Sequence, residues 1–279
     1  MYMSMRFPGL KSKALTFSYD DGVRQDKRLV KLFDRYEVKG TFNVCTGVRG
    51  ETATNEQIAS GVGGMSKQEI LELFGSASHE VALHTYSHPH LESLSKAAVT
   101  REIIAEKENI EKLFGKITRG AAYPYGTYND DVVASLDACG IAYCRTVESS
   151  ENFNIPTDWL RLKPTCHHNN PNLTDLANSF LAYRPNPVYT SRLFYVWGHS
   201  YEFDNDNNWE LMEDFLKLVS GREDVWYATN IEIYDYVTAY RSLITSADGK
   251  IIHNPTDTEI FFICNDENFS IKAGQTIKI

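Results

Sequence analysis

Three short stretches hold residues whose types and spacing suit hydrolytic chemistry. LTFSYDDG ends in adjacent carboxylates, Asp20 and Asp21, just ahead of Gly22. HEVALHTYSHPHL carries His84 and His88 with three residues between them, and LFYVWGHSYEF brings His199 to the end of an apolar run. Two imidazoles and one carboxylate form an ordinary ligand set for a divalent cation, with positions left open for water and substrate. A cation so held acidifies its water and polarises a carbonyl oxygen. A second carboxylate can take the water's proton, and a histidine across the site can protonate the leaving group. Every role in hydrolysing an amide or ester is then filled. Taken singly, each stretch has a plainer reading. Asp-Asp-Gly is usually a turn whose carboxylates accept from nearby amides. His-x-x-x-His recurs by chance in a chain that also holds His79, His90, His167 and His168, and His199 alone could be a satisfied core histidine. Their combination points to chemistry.

Each stretch lies where a β-rich run gives out. The pattern predicts strands at 14–19, 41–45, 80–84, 120–123, 141–146, 161–165, 193–198 and 225–228, alternating with segments whose apolar residues recur three and four apart. One predicted helix covers 95–114, with Val99, Ile103, Ile110 and Phe114 on one face and Ser95 as its N-cap. Another covers 206–220, with Trp209, Met212, Leu216 and Val219 on its buried stripe. Repeated strand–helix alternation predicts an α/β fold with a parallel sheet, and about eight strands favour closure into a barrel over an open doubly wound sheet. In such a barrel the C-terminal strand ends share one mouth, so distant segments converge there. From residue 246 the character changes to short β runs punctuated at Asn254-Pro255, Asn265-Asp266 and Ala273-Gly274. The expected organisation is a barrel over 1–245 with a small C-terminal β appendage over 246–279 packed against it.

In this order the stretches resemble the polysaccharide deacetylases, carbohydrate esterase family 4, over about residues 15–236. The family's T-F-D-D-G is present as Thr16-Phe17-Ser18-Tyr19-Asp20-Asp21-Gly22, with two additional residues before the pair. Its H-[ST]-x-x-H-P is matched without change by His84-Thr85-Tyr86-Ser87-His88-Pro89, and its R-x-P-Y-G in part by Ala122-Tyr123-Pro124-Tyr125-Gly126. The family's late histidine after an apolar strand is matched by His199. The resemblance implies a distorted parallel (β/α) barrel, with seven strands more usual than the eight the pattern predicts. It implies Asp21, His84 and His88 as metal ligands, Asp20 as general base and His199 as general acid. The backbone amide at Tyr125 would be an oxyanion donor. The chain departs from the family at Ala122, which stands where an arginine contacts the catalytic aspartate. Arg145, at the end of the following strand, is expected to supply that charge, with Arg161 as the alternative donor. A neighbouring cation favours the ionised carboxylate. The family's aspartate–tryptophan segment has no clear match, since Asp158-Trp159 follows Pro156 in a loop-like stretch.

The resemblance implies removal of acetyl groups, N-acetyl before O-acetyl, from an acetylated oligosaccharide or polysaccharide. One divalent metal ion is implied: zinc by ligand type, with nickel, cobalt, manganese or iron also acceptable. Two other readings stand beside it. The same architecture hosts hydrolases of cyclic and small non-sugar amides, some without metal, and a non-catalytic carbohydrate-binding module is the third. Aromatic residues gather near the predicted mouth: Tyr19, Tyr86, Tyr123, Tyr125, Tyr128, Trp197 and Tyr201. One or two are expected to meet a sugar face, and the others to pack. Arg145, Tyr123, Trp197, Tyr201 and His168 form the expected supporting and substrate-side set.

Composition excludes several classes. A net charge of -9 over 279 residues leaves no basic stripe to displace counterions from nucleic acid. Five cysteines without a C-x-x-C pair fit reduced, buried thiols. No apolar run is long enough to span a bilayer. The first residues, MYMSMRFPGLKSK, lack the apolar stretch of a secretory signal, so a complete sequence would be expected in the cytoplasm and a trimmed one outside it.

Overall fold

The computed structural model describes residues 3–47, 64–184 and 191–279. Its centre is β2 (Lys13–Asp21), buried at every position. A strand covered on both faces belongs inside a parallel sheet. β2 pairs in parallel with β8 (Arg192–Gly198) along 13–19, with β3 (Gly40–Val44) along 17–21 and with β9 (Val225–Tyr227) along 13–15. Outward from β3 run β4 (Glu80–Leu83), β5 (Gly120–Ala122) and β6 (Tyr143–Arg145); beyond β8 lies β7 (Cys166–His167). Every pairing in this eight-stranded sheet is parallel.

The sheet curls, and residues 159–168 bridge its two edges. On one side the Leu162 amide donates to Cys144 O and the Thr146 amide to Leu162 O; on the other, Thr165 N donates to Tyr195 O and His168 N to Trp197 O. The strand predicted at 161–165 is therefore corrected. Only Leu162 makes a β-bridge, to Arg145, and the strand proper begins at Cys166. Pro164 explains the shift, because it has no N–H to give a ladder. The other seven predicted strands coincide with β2 to β6, β8 and β9 to within a few residues.

Period-two alternation along β2 sorts its side chains. Leu15, Phe17 and Tyr19 join the core under the helices, whereas Ala14 joins a second core shared with Tyr143, Leu162, Tyr195 and Trp197. Thr16, Ser18 and Asp20 follow Ala14 on that second face, so the barrel interior grows more polar toward the strand end.

The described helices are α1 (Asp26–Arg35), α2 (Lys67–Phe74), α3 (Lys96–Phe114), α4 (Asp130–Ala138), α5 (Leu173–Ala182), α6 (Glu202–Asn205), α7 (Trp209–Val219) and α8 (Asn230–Arg241). α3 follows the sequence closely: Ser95 Oγ accepts from Ala98 N, Val99, Ile103 and Ile110 are buried, and Gly115 ends the helix in the left-handed region. The helix predicted over 206–220 is shorter than expected, because Asn207 takes a left-handed φ of 48° and α7 starts only at Trp209. No helix among the described residues is long and apolar enough to cross a membrane.

The last residues build β10 (Ile244–Thr245), β11 (Ile251–His253), β12 (Ile260–Cys264), β13 (Glu267–Ile271) and β14 (Thr276–Lys278). They form two antiparallel three-stranded sheets, one of which takes its edge from the start of the chain, β1 (Met3–Arg6). Asn265 and Asp266 turn β12 into β13 with φ of 47° and 69°, the paired positive values of a type I′ hairpin. Ile252, Ile260, Phe262 and Ile271 share the second core with Phe7, Ile233 and Tyr236, which seats these sheets on α8.

Candidate active site

Asp20 and Asp21 end β2, where alternation would send them to opposite faces. A left-handed backbone at Asp21 (φ 83°) breaks the alternation and lets both carboxylates reach the mouth. Thr85 (φ 64°), His88 (φ 55°) and Tyr125 (φ 58°) adopt the same strained region. Four such non-glycine residues, at a strand end and in the loops beside it, mark a place where packing holds the backbone against its preference.

The carboxylate of Asp20 is held from two sides. Asn43, its register partner on β3, donates through Nδ2 to Oδ1 at 2.8 Å and also to Ser18 Oγ. Arg145, fully buried at the end of β6, donates through Nη2 to Oδ2. The guanidinium lies over the Trp197 ring, 4.4 Å from its centre. The Nε2 atoms of His84 and His199 each lie 3.9 Å from Asp20 Oδ2. Burial alone would raise the Asp20 pKa, but Arg145 and the two histidines outweigh it and hold the group at about 2. Arg161, the alternative cation, is instead tied to Asp158 and Asp130.

Beside this aspartate, Asp21 Oδ1 lies 3.7 Å from His84 Nε2 and 3.6 Å from His88 Nε2. One ligand atom from each of the three comes within 4.8 Å of the others. Metal–ligand bonds of about 2.0–2.2 Å put neighbouring ligand atoms roughly 3–3.5 Å apart, so small adjustments would seat a cation. The donor set fits in a second respect. His84 Nδ1 donates to Ala122 O at 2.9 Å, which fixes the tautomer and leaves the Nε2 lone pair facing the carboxylates. Burial also lowers the His84 pKa, favouring the neutral ring that ligation requires. The position that lacks the expected arginine thus contributes through its carbonyl.

Sequence reasoning missed Glu202. It stands three residues after His199 at the start of α6, a spacing at which helical neighbours meet, and that was the available signal. Its Oε1 lies 3.3 Å from His199 Nδ1, while Oε2 accepts from the His199 amide and approaches His167 and His168 at 3.2 and 3.3 Å. His167, His168 and Glu202 form a second cluster of possible ligands. However, Asn169 N donates to His167 Nδ1, so the neutral ring carries its proton on Nε2 and offers Glu202 a donor rather than a lone pair. With His167 and His199 against it, the Glu202 carboxyl is held far below its ordinary range despite burial.

The expected substrate-side residues divide. His168 is fully buried between Tyr19 and Phe203, in space left by Gly198, so it packs in the core and cannot line the mouth. Tyr123 is also buried, donating to Leu160 O and stacking on Tyr128. Trp197 packs on Arg145 and His167. Tyr201 lies 5.1 Å from the His199 ring, centre to centre. Tyr125 is 53% exposed; its ring stacks on His90 at 3.9 Å and meets His88 edge-on at 4.6 Å.

Comparison with known proteins bears on this arrangement. The sequence model described as polysaccharide deacetylase matches residues 8–144. Those residues belong to the polysaccharide deacetylase family. They contain Asp20, Asp21, His84, His88 and Tyr125 but not Arg145 or His199. A poly-beta-1,6-N-acetyl-D-glucosamine N-deacetylase of Staphylococcus aureus (strain MRSA252) is 24% identical over 139 residues, 45% of this chain and 46% of that protein. The match thus spans about half the length of such relatives. Among solved structures, the PuuE allantoinase superposes with a TM-score of 0.60 at 13% identity, covering 82% of this chain and 91% of that one. The Xyl-CE4 domain of a multidomain xylanase from the hindgut metagenome of Trinervitermes trinervoides gives 0.50 at 15%, covering 82% and 92%. These likenesses establish a shared parallel (β/α) barrel fold.

Proposed function

We propose that this chain is a metal-dependent hydrolase that removes acetyl groups, N-acetyl foremost, from an oligosaccharide or polysaccharide. The observation that carries the reading is the setting of Asp20, a buried carboxylate held ionised by Arg145 beside the Asp21–His84–His88 trio and facing His199. The family of residues 8–144 and the named activity of the S. aureus relative support the choice of an acetylated sugar.

Asp21, His84 and His88 would hold one divalent cation, zinc by donor type and otherwise nickel, cobalt, manganese or iron, supplying a Lewis acid and an acidified water. Asp20 then takes the proton of the attacking water, and its pKa of about 2 keeps it ready as a base across the working pH range. The Tyr125 amide donates to the oxyanion. His199 gives the Nε2 proton to the departing nitrogen, with the Glu202 carboxylate beside Nδ1. Burial opposes a charged His199, yet Glu202, Asp20 and Asp21 raise its pKa, which suits an acid. The exposed Tyr125 ring offers a face to a sugar.

The test is acetate release from N- and O-acetylated oligosaccharides by metal-stripped protein and by protein reloaded with zinc, cobalt or nickel. Release should require metal, and Asp20→Asn should lower kcat by roughly 10²–10⁴-fold without emptying the site. No release from any sugar by fully loaded protein would move the reading to a small or cyclic amide. Sugar binding without metal and without turnover would favour a binding module.

A further inference from the structure

Asp26, at the first position of α1, takes no part in the chemistry above, yet it has no exposed surface. Its Oδ1 accepts from Ser200 Oγ at 2.5 Å across 174 residues of sequence. Its Oδ2 meets no hydrogen-bond partner among the described residues. A buried carboxyl with a single donor is costly where an apolar side chain would pack without penalty. Ser200 is also fully buried, and it directly follows His199.

These contacts join two loops. The Asp26 amide donates to Val23 O, which fixes Asp26 to the short turn leaving Asp21. On the other side, the His199 amide donates to Glu202 Oε2 and the Glu202 amide to His199 O. The His199 loop is therefore gripped by Glu202 from the start of α6 and by Asp26 from the start of α1, the helix that follows Asp21. Without the Asp26 contact, only the Glu202 side of that grip remains.

We infer that Asp26 is a positioning residue, setting the placement of His199 relative to Asp20 through Ser200. Burial, reinforced by the nearby charges of Asp21 and Asp20, raises its carboxyl to about 8. It is thus mostly neutral at pH 7, and it orients Ser200 without adding a third negative charge to the mouth. The inference rests on the reading of His199 as the proton donor to the leaving group.

A leaving-group comparison tests it. An N-acetylated oligosaccharide needs a proton on the departing nitrogen; an aryl acetate with a nitrophenolate leaving group does not. Asp26→Ala and Ser200→Ala should each lower kcat on the N-acetyl substrate by about tenfold with KM unchanged, as expected for a misplaced acid, and leave the aryl acetate rate near wild type. Asp26→Asn, neutral and with an acceptor oxygen retained, should restore the N-acetyl rate and leave the aryl acetate rate unchanged. Equal losses on both substrates, or an unchanged N-acetyl rate, would overturn the inference. Ser200→Ala removes one hydroxyl and carries the test if Asp26→Ala does not fold. His199→Ala serves as reference. If it shows no selective loss, the assignment of the acid fails; if it alone shows the loss, only the role of Asp26 fails. The His199 imidazole resonances, compared between wild type and Ser200→Ala, need no substrate, and identical shifts would also overturn the inference.

Discussion

Asp20 shows how far a residue's chemistry is set by its neighbours. Its type and place beside Asp21 are plain in the sequence, but its ionisation depends on Arg145, 125 residues away. Burial works against the charge, and the guanidinium with the two imidazoles overcomes it. Removing the cation should therefore leave a buried carboxylate without its main partner. Arg145→Ala is expected to cost about 3–5 kcal/mol in urea unfolding, as breaking a buried ion pair does. It should also shift the acid limb of the pH–rate profile upward, because the effect of burial on Asp20 is then less opposed. Arg145→Lys keeps a charge but loses the planar stack on Trp197, so it should recover only part of each effect. Wild-type stability in Arg145→Ala would refute this account.

At the scale of elements, the strand ends do the positioning, and β8 shows how tightly. Gly198 closes that strand, and a Cβ placed there would lie 2.0 Å from Nδ1 of the buried His168 ring. His168 has nowhere to retreat, packed as it is between Tyr19 and Phe203. Gly198→Ala should therefore cost about 1–3 kcal/mol through overpacking, seen as a lower Tm, and should also disturb Glu202. An unchanged Tm would show that the ring can move. Elements with strong local signals were legible: α3, with its Ser95 cap and Gly115 stop, and the hydrophobic strands β2 and β8. The segment 161–165 was not, because its extended character comes from bridging two sheet edges, and Pro164 interrupts any ladder it could form.

Over the whole molecule, buried acids set the response to pH. Burial raises Asp26 and Glu106 to about 8 and Glu80 to about 7, all from ordinary carboxylate values. Groups with raised folded-state pKa values stabilise fully below their unfolded pKa, and that contribution is lost as pH rises through the folded value. Each can remove up to about 1.4 kcal/mol per pH unit in that window. Stability in urea should therefore fall from pH 6.5 to 8. Glu106→Gln, which cannot ionise, should flatten the slope by one group's share; an unaltered slope would show that Glu106 is already charged. The bridging segment 159–168 and the two antiparallel C-terminal sheets also belong to this scale. β1 pairs with β12 across nearly the full length of the chain, a partnership between short strands that no local pattern announces.

What the sequence determined by itself was the donor chemistry and its location. Carboxylates, imidazoles and strand periodicity are local properties, and parallel strand–helix alternation brings strand ends to one mouth. Asp20, Asp21, His84, His88 and His199 were therefore legible together. The sequence also pointed to Arg145 as the cation for Asp20, with Arg161 as the alternative, and the structure places Arg145 there. Tertiary structure alone decided that Glu202 gathers three histidines, that His168 is core and that Asp26 reaches Ser200. The physical reason is that periodicity encodes the face a side chain takes, whereas its partner across the barrel depends on register, backbone strain at positions such as Asp21, and the space left by neighbours such as Gly198.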